Sequence, residues 1–339
     1  MNKKYSELAE LFRSEKTDEE ILDFLLNFHK NDIADMLAGM TEEERKRLYH
    51  LLGAQKTADV FKYIEDPRKY IKELTVESAA RVISEMDSDD AVDLLENLDP
   101  EEKEQIVRML DEDAKKDVKM LLSYDEEEIG SCMTTNYICI PENLTIRQAM
   151  SELVKQAGEN DNIMTIYVVD EKGVFAGAID LKDLIRAREN AHLEDLVLKS
   201  YPYVTDHEKI DDCMDRILDY AEDSIPVLSE DKKILGVITS EDLIEMVDNE
   251  MGEDYAKLAG LTAEEDLKEP TLQSMKKRLP WLIILLFLGM GVSSVVGLFE
   301  NVVAVLPVVI CFQSLVLDMA GNVGTQSLAV TIRVLMDEN

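Results

Sequence analysis

The pattern of apolar and polar positions changes twice along the chain and divides it into three parts. In residues 1–130 apolar side chains recur three and four positions apart, as Ile21 and Leu25 do, which is typical of short amphipathic helices. From about residue 131, short β-rich runs alternate with helical patterns, which favours an α/β region. From Leu279 onward the chain is mainly apolar. The pattern therefore predicts a helical part, an α/β part and an apolar helical part.

The helical part carries repeated helix-start signals. Thr17 and Thr41 each precede a glutamate by three residues, and Asp99-Pro100 opens a third segment. Such residues place a side-chain oxygen at the N-cap and a carboxylate in the first turn, where free N–H groups favour it. Units of roughly a dozen residues recur as IADMLAGMTEEE, AARVISEMDSDD and AVDLLENLDPEE. This self-similarity predicts a small helical superhelix whose neighbouring units bury each other's apolar faces.

One of these units contains two aspartates with a notable spacing. Asp89 and Asp93 lie four positions apart, so a helix places both carboxylates on one face. Like charges at this spacing repel each other unless something neutralises them. A bound cation and plain solvation are the two interpretations that the spacing leaves open.

The α/β part repeats one order of elements after about sixty residues. A helix is followed by two strands that a turn joins, and then by a second helix. The predicted segments are Ile146–Gln156, Ile163–Val169, Val174–Ile179 and Leu181–Ala187, and then Asp211–Tyr220, Ser224–Leu228, Ile234–Ile238 and Ser240–Val247. The two copies end alike, in GAIDLKDLI and GVITSEDLI. The repeat predicts two β-α-β-β-α units in tandem.

The apolar part begins with a segment of membrane-spanning length. Trp281–Phe299 contains no charged residue, and a helix of about 20 such residues crosses a bilayer core of roughly 30 Å. Pro280 is predicted in the first helical turn, where its missing N–H costs nothing. Basic residues at positions 276–278 precede the segment, so the positive-inside tendency places residues 1–278 in the cytoplasm.

A second apolar run, Val302–Leu317, is followed by a polar insert that includes Asn322 and Thr325. Polar groups at membrane depth are costly, and they usually face a bundle interior or an ion path. An ion path and helix packing are therefore the two interpretations of this insert.

Composition limits the possible functions. The net charge is −35, and acidic residues outnumber basic ones by 16 in each of the segments 1–130 and 131–278. Nucleic-acid binding depends on neutralising phosphates with basic residues, so this charge argues against it. The four cysteines lack metal-site spacing and fit a reducing cytosol. The sequence contains no nucleophile–base arrangement, P-loop or histidine cluster, so no enzyme is predicted.

Two family resemblances follow from these motifs. The repeated endings GAIDLKDLI and GVITSEDLI resemble those of a tandem CBS pair, a regulatory module that often dimerises and in some families binds adenosine nucleotides. Longer segments resemble the MgtE family of magnesium channels in that family's domain order, from about residue 30 to 335. These segments are DDAVDLLENLDPEE, SYDEEEIGSCMTTNYICIPENLTIRQAM, RLPWLIILLFLGMGVSSVVGLFE and AGNVGTQSLAV.

The resemblance implies a multidomain fold. It consists of an all-α superhelical N domain (1–130), an α/β tandem CBS pair (131–250), a connecting or plug helix (251–278) and a partial α-helical membrane domain of two helices (279–339). MgtE subunits have five membrane helices, so the resemblance also implies a chain truncated after the second, without the later acidic pore residue.

The resemblance assigns roles to particular residues. Magnesium ions bound among acidic residues would hold a compact closed assembly, and the matching positions are Asp89, Asp93, Asp242, Glu250, Glu253 and Asp254. Asn322 and Thr325 match polar residues near the ion path. Lys182 and Asp183 match a nucleotide-binding pair in which arginine is usual, and lysine is not equivalent to arginine at such contacts. ATP binding is therefore left open.

The function predicted from the resemblance is a magnesium channel or transporter whose cytosolic domain senses intracellular Mg²⁺ and closes the pore. The alternative is a membrane-tethered CBS nucleotide sensor that regulates a partner protein. The first interpretation implies Mg²⁺, the lipid bilayer and a second copy of the chain as partners, with a homodimer formed through the CBS and membrane domains. It also implies the inner or plasma membrane of a prokaryote as the location.

Overall fold

The computed structural model describes residues 17–337 except for positions 26, 65, 159, 189–190, 248–250, 252–270, 300–304 and 306. The chain forms two compact units, Met1–Asp242 and Leu243–Asn339. The first unit contains a helical region, over residues 17–121, and a region with two β-sheets.

The described part of the helical region forms a series of short helices, as the sequence predicts. They are α1 (Asp18–Leu25), α2 (Lys30–Leu37), α3 (Glu42–Phe61), α4 (Arg68–Ile71), α5 (Val76–Ser84), α6 (Ser88–Glu96), α7 (Pro100–Met109) and α8 (Glu112–Leu121). At Thr41 the predicted capping box is present, since Thr41 N–H donates to Glu44 Oε2 (2.8 Å) and Glu44 N–H donates to Thr41 Oγ1 (3.3 Å). Asp99 precedes α7 without a side-chain cap bond, and Pro100 takes the first helical position.

Alternate helices of this region pack on each other, α5 against α7 and α6 against α8. The packing buries the apolar stripe of each helix, which is the main source of helix stability in proteins. The largest fully buried side chains of the region are Ile21, Leu25, Leu37, Leu48, Phe61, Ile83, Leu95 and Leu121. Helix α3 is kinked at Gly53, whose φ of 75° is a conformation that glycine adopts without strain.

The sheet-containing region consists of two copies of one unit. Each sheet has three strands in the order β1-β2-β3 or β4-β5-β6, with the first pair parallel and the second antiparallel. The elements are β1 (Ile138–Pro141), α9 (Ile146–Gln156), β2 (Thr165–Val169), β3 (Phe175–Asp180) and α10 (Leu181–Arg186), and then β4 (Val204–Thr205), α11 (Ile210–Tyr220), β5 (Ser224–Leu228), β6 (Ile234–Thr239) and α12 (residues 240–247). The sequence pattern did not locate β1 and β4, because both are too short to show alternation.

Buried polar contacts join the two copies. The Tyr167 hydroxyl of the first copy lies 2.6 Å from Ser224 Oγ of the second, and the Tyr201 hydroxyl, just before β4, holds Ser224 by donating to its carbonyl at 2.7 Å. Between the sheets the Phe175 N–H donates to the Lys232 carbonyl at 2.9 Å. These bonds satisfy groups that would be costly to bury alone, and they fix one copy against the other.

The second unit contains two long helices in its described part, α13 (Thr271–Leu298) and α14 (Pro307–Asp337). One helix among the described residues is long and apolar enough to cross a membrane, over Arg278–Leu298 with a mean hydropathy of 2.3. The prediction that Pro280 lies in a first turn is wrong. Because the preceding segment LQSMKKRL consists mainly of good helix formers, α13 begins at Thr271 and Pro280 lies inside it.

Candidate metal centre

The N-terminus of α6 supplies most of the acidic groups of the candidate site. Asp87 is the N-cap residue, and Asp89 and Asp90 lie in the first turn. Acidic residues are favoured there because the free N–H groups of a helix start carry partial positive charge. The apolar side of α6 is buried among its neighbours through Ala91, Val92, Leu94 and Leu95. The helix sequence therefore anchors one face in the core and leaves its first turn at the edge of the helical region.

A short segment before β1 holds this helix start. Ser88 Oγ accepts the Thr135 N–H at 2.9 Å, and the Asn136 side-chain amide donates to Asp87 Oδ1 at 2.8 Å. The neighbouring Thr134 exchanges both backbone hydrogen bonds with Val237 of β6, each at 2.9 Å. The segment therefore links the start of α6 to the strand that leads into α12.

Asp242 comes from the other side of the same site, in the first turn of α12. The Thr239 N–H and hydroxyl donate to Asp242 Oδ2 at 2.7 and 2.8 Å, and the Asp242 N–H donates to Thr239 Oγ1 at 3.3 Å. This reciprocal arrangement is an N-terminal cap in which the third residue is aspartate. It fixes the position of the carboxylate and leaves the second oxygen, Oδ1, outside these bonds.

Burial disfavours the charged forms of the carboxylates at the starts of α6 and α12. Asp89 Oδ1 is fully buried and has no hydrogen-bond partner. Burial raises the pKa of Asp89 well above its usual range, and the nearby charges of Asp242, Asp90 and Asp87 raise it further. Burial also raises the pKa of Asp90, to about 7, although Lys62 opposes the shift. The ionised forms of these groups therefore need a positive charge that the carboxylates themselves do not supply.

These groups line a pocket of about 220 Å³. Its wall combines six carboxylate residues with two lysines and several neutral polar residues. The lining residues are Lys30, Asp59, Lys62, Tyr63, Asp87, Asp89, Thr134, Asn136, Asp161, Asn162, Thr239, Glu241 and Asp242. One water occupies about 30 Å³ in the liquid, so the pocket has room for an ion together with several waters.

The chemistry of the pocket suits a hydrated cation better than a dehydrated one. Within the part of the chain that the structure describes, no three His, Cys, Asp or Glu side chains form a group that could hold a metal ion by themselves. Mg²⁺ dehydrates reluctantly, and it usually keeps several waters while it binds one or two carboxylates. Asp89 and Asp242 can provide such a pair, since both line the pocket and the charge of Asp242 raises the pKa of the buried Asp89.

Three of the six residues that the family resemblance assigns to metal binding lie in the part of the chain that the structure describes. The structure brings Asp89 and Asp242 to the same pocket. Asp93 is exposed and lies one turn further along α6, from where its charge raises the pKa of Asp90 slightly. Glu250, Glu253 and Asp254 lie outside the described residues.

The other predicted site residues lie on exposed surfaces. Lys182 and Asp183 are exposed at the start of α10. Asn322 and Thr325 are exposed on α14, where the Thr325 hydroxyl donates to the Gly321 carbonyl at 3.0 Å. Such a bond to the preceding turn is common for threonine inside a helix.

Several residues that line the pocket are not predicted from the sequence, including Asp87, Lys62 and Glu241. Asp87 carries a local signal, because it stands two positions before Asp89 in one acidic helix start. No signal in the sequence marks Lys62 or Glu241, since folding brings them together from positions far apart in the chain.

The order of domains defines a class of protein. A helical domain, a pair of CBS-like units and a helix long and apolar enough to cross a membrane follow one another along the chain. The sequence profile of the MgtE intracellular N domain matches residues 28–127, and that of the CBS domain matches residues 127–190 and 193–249. The chain belongs to the MgtE family, which confirms the resemblance and the fold class that the sequence predicts.

The family assignment depends on full-length relatives. The chain is 39% identical to the magnesium transporter MgtE of Enterococcus faecalis over 339 residues, which cover 99% of this chain and 74% of that protein. It is 32% and 30% identical to the proteins of the same name from Bacillus subtilis and Thermus thermophilus, over 64% and 62% of this chain. The match spans about half of the length of these last two relatives, 48% of each.

Two solved structures resemble the first unit. One is the soluble part of a magnesium transporter, with a TM-score of 0.69 at 30% identity over 73% of this chain and 97% of that one. The other is the cytosolic domain of the Mg²⁺ channel MgtE in complex with ATP, with a TM-score of 0.64 at 26% identity over 71% of this chain and 99% of that one. The relatives are named as transporters and not as enzymes.

Proposed function

We propose that the chain belongs to a magnesium transporter, in which residues 1–278 form a cytosolic region that senses Mg²⁺ and closes the pore. The observation that carries this proposal is the buried, unpartnered Oδ1 atom of Asp89, which lies at a pocket shared with Asp242. A buried oxygen without a donor is costly unless a ligand satisfies it. A hydrated divalent cation would satisfy it and would neutralise both carboxylates.

The ion would act by reversing the sign of one interaction. Without it, the like charges of Asp89 and Asp242 repel each other across the pocket. With it, both carboxylates are attracted to one centre, directly or through its waters. The helical region therefore docks on the second CBS repeat at high Mg²⁺ and leaves it at low Mg²⁺. The connecting segment after α12 leads to α13, and it provides a covalent route from this docking to the pore.

The remaining acidic positions extend the proposal. Asp93 lies one turn further along α6, outside the pocket, where it adds negative potential that attracts cations. Glu250, Glu253 and Asp254 would bind further ions beside the connecting segment. In the membrane, Asn322 and Thr325 would contact the permeating ion as part of a homodimeric assembly that the CBS pairs and the membrane helices hold together.

Nucleotide binding is a separate proposal for the CBS pair. A related cytosolic domain has been crystallised in complex with ATP. In this chain the matching pair is Lys182 and Asp183, which are exposed and free of the acidic pocket. Calorimetric titration of the full chain with ATP tests the proposal, and Lys182→Met should abolish the heat if this pair binds the nucleotide.

Limited proteolysis of the full chain in detergent micelles tests magnesium sensing. We expect millimolar Mg²⁺ to protect the segment at 125–135, which joins the helical region to the CBS pair, whereas KCl of equal ionic strength should not. Asp89→Asn should raise the Mg²⁺ concentration at half-protection by about tenfold, because one charged ligand is lost.

Asp93→Asn is the matched variant on the same helix. It removes an exposed charge outside the pocket, so the half-protection concentration should rise by only about twofold, as is typical of screened surface charges. Digestion of the wild type that Mg²⁺ leaves unchanged would count against magnesium sensing. Equal effects of the two variants would move the site away from Asp89.

A further inference from the structure

One lysine of the acidic pocket, Lys62, contacts carboxylates from two regions of the chain. Lys62 follows the last residue of α3, and its ammonium group lies 3.2 Å from Glu241 Oε2 and 3.4 Å from Asp87 Oδ2. Asp87 belongs to the helical region, whereas Glu241 belongs to the second CBS repeat. The ammonium group therefore bridges the two surfaces that form the pocket.

Lys62 is placed as a counter-ion for the carboxylates around it. Its side chain is 31% exposed, so part of its hydration is lost. The charges of Asp90, Asp87 and Glu241 raise the pKa of Lys62 despite this burial. In return its charge lowers the pKa of Asp90 and of Asp242. The lysine is thus charged, and it partly compensates carboxylates on both sides of the interface.

The second lysine of the pocket is bound differently. Lys30 pairs with Asp59 at 2.9 Å, and both residues belong to the helical region. Its side chain is more exposed than that of Lys62, at 48%. Among the described residues, the Lys30 ion pair therefore stays within the helical region, although Lys30 lines the same cavity.

We propose that Lys62 is a tethered cation that competes with the metal ion for the acidic pocket and so sets the Mg²⁺ concentration at which the pocket fills. This inference rests on the proposed function. In the absence of metal, the Lys62 bridge to Glu241 limits the repulsion between the helical region and the CBS pair. When Mg²⁺ enters, the nearby positive charge opposes it, so a higher concentration is needed.

Lys62 has two roles in this proposal, as a bridge to Glu241 and as a competitor of Mg²⁺. Removing its charge should therefore weaken docking without Mg²⁺ but strengthen the response to Mg²⁺. Lys62→Met keeps the apolar stem and removes the charge. Without Mg²⁺, the helical region should dock less firmly, and protease should cut at 125–135 faster than in the wild type. In a Mg²⁺ titration, the half-protection concentration should fall by about tenfold, the effect of one unit charge close to a divalent ion in a water-like medium. If Lys62 had only a structural role, Lys62→Met would speed up cutting without Mg²⁺ and would also raise the half-protection concentration.

Matched variants isolate the charge. Lys62→Arg keeps it and should leave half-protection within about twofold of the wild type, because the remaining difference is one of donor geometry. Lys30→Met removes a lysine of the same pocket without touching the bridge and should shift neither readout. If Lys62→Met does not fold, the polar variant Lys62→Gln should show the two expected shifts in its place.

The possible outcomes separate the inference from the function on which it rests. A half-protection concentration for Lys62→Met that is equal to or higher than that of the wild type overturns the inference, while a wild-type response to Mg²⁺ leaves the proposed function standing. A wild type that ignores Mg²⁺ overturns the proposed function, and with it the competition. In that case the rate of cutting in metal-free buffer still shows whether Lys62 bridges the interface.

Discussion

The two CBS repeats end in nearly the same sequence but present different chemistry. GAIDLKDLI places Lys182 and Asp183 at the start of α10, and GVITSEDLI places Glu241 and Asp242 at the start of α12. Asp183 is exposed, whereas Asp242 lines the acidic pocket opposite α6. The same aspartate position is therefore solvated in one repeat and partly buried in the other.

The cap residues explain how the two helices begin alike and still differ. In the first repeat, Asp180 is the N-cap, and its carboxylate accepts the Lys182 N–H at 2.7 Å. In the second repeat the N-cap is Thr239, so Asp242 reaches back and accepts the two donors of Thr239. Both arrangements satisfy the free N–H groups of a helix start. Only the second one fixes an aspartate of the first turn at the surface where the helical region docks.

The repeat motif alone therefore does not make a site. A motif supplies a carboxylate at a helix start, and its environment decides whether that carboxylate is strained. Burial raises the pKa of Asp242, and the nearby charge of Glu241 raises it further. The following predictions test this asymmetry between the repeats.

The largest difference is expected between the two aspartates themselves. Asp242→Asn removes a proposed metal ligand while the amide oxygen can still accept the bonds from Thr239. We expect the Mg²⁺ concentration at half-protection to rise by more than about tenfold. Asp183→Asn, at the equivalent position of the first repeat, should leave it unchanged. Limited proteolysis of the full chain in micelles measures both concentrations, and isothermal titration with Mg²⁺ checks that they follow metal binding.

The same pair of variants has a second readout of opposite sign. In metal-free buffer Asp242→Asn removes a buried like charge, so the docked state should become more stable, and cutting at 125–135 should slow down. Equal Mg²⁺ binding by the two variants would show that the repeats are equivalent for metal and would remove Asp242 from the site.

A smaller difference is expected between the two cap residues. Thr239→Val removes the hydroxyl that orients Asp242, but the backbone N–H of residue 239 still donates to the carboxylate. The half-protection concentration should therefore rise by about threefold, which is less than for most outer-shell changes at metal sites. Asp180→Ala removes the cap of α10 and costs about 1 kcal/mol of stability without affecting Mg²⁺. Thermal unfolding separates that loss from the change in metal response. If Thr239→Val binds Mg²⁺ as the wild type does, the cap does not orient the ligand.

Much of the fold could be predicted from the sequence because its signals are local. Helix α9 matches the predicted segment Ile146–Gln156, and β5 matches Ser224–Leu228, since caps and β-branched runs mark their ends. The error at Pro280 also has a local cause, because the good helix formers before it extend α13 back to Thr271.

The candidate site could be predicted only in part because it is assembled by docking. The spacing of Asp89 and Asp93 places both on one face of α6. Only the first turn of α6, which contains Asp89, lines the pocket, and Asp93 lies one turn beyond it. Asp242 was found through the family resemblance, and nothing in its local sequence indicates its partner. Lys62 is separated from Glu241 by most of the soluble region, so only the tertiary structure shows that they meet.

The segments that lead into the repeats show a further asymmetry, which concerns pH. Each segment crosses to the other repeat and pairs with it. Glu128 pairs with Lys209 at the first crossing, and His192 pairs with Thr145 at the second. In the first crossing, His207 Nδ1 lies 2.9 Å from Glu128 Oε1, its ring packs on Tyr124, and Asp206 lies 3.9 Å from Nε2. The hydrogen bond to Glu128 and the charges of Asp206, Glu128 and Glu230 raise the pKa of His207 above its usual value of 6.5.

The smallest expected effect follows from this shift. Because the folded state raises the pKa, the charged ring stabilises the crossing fully below about pH 6.5, and the gain is lost as the pH rises through the higher folded value. His207 is solvent-exposed, so the change in melting temperature between pH 6 and pH 8 should be smaller than the effects above. His207→Gln should remove this component, whereas His192→Gln at the other crossing should keep it. Melting curves of the two variants that depend on pH in the same way would place the titrating contact elsewhere.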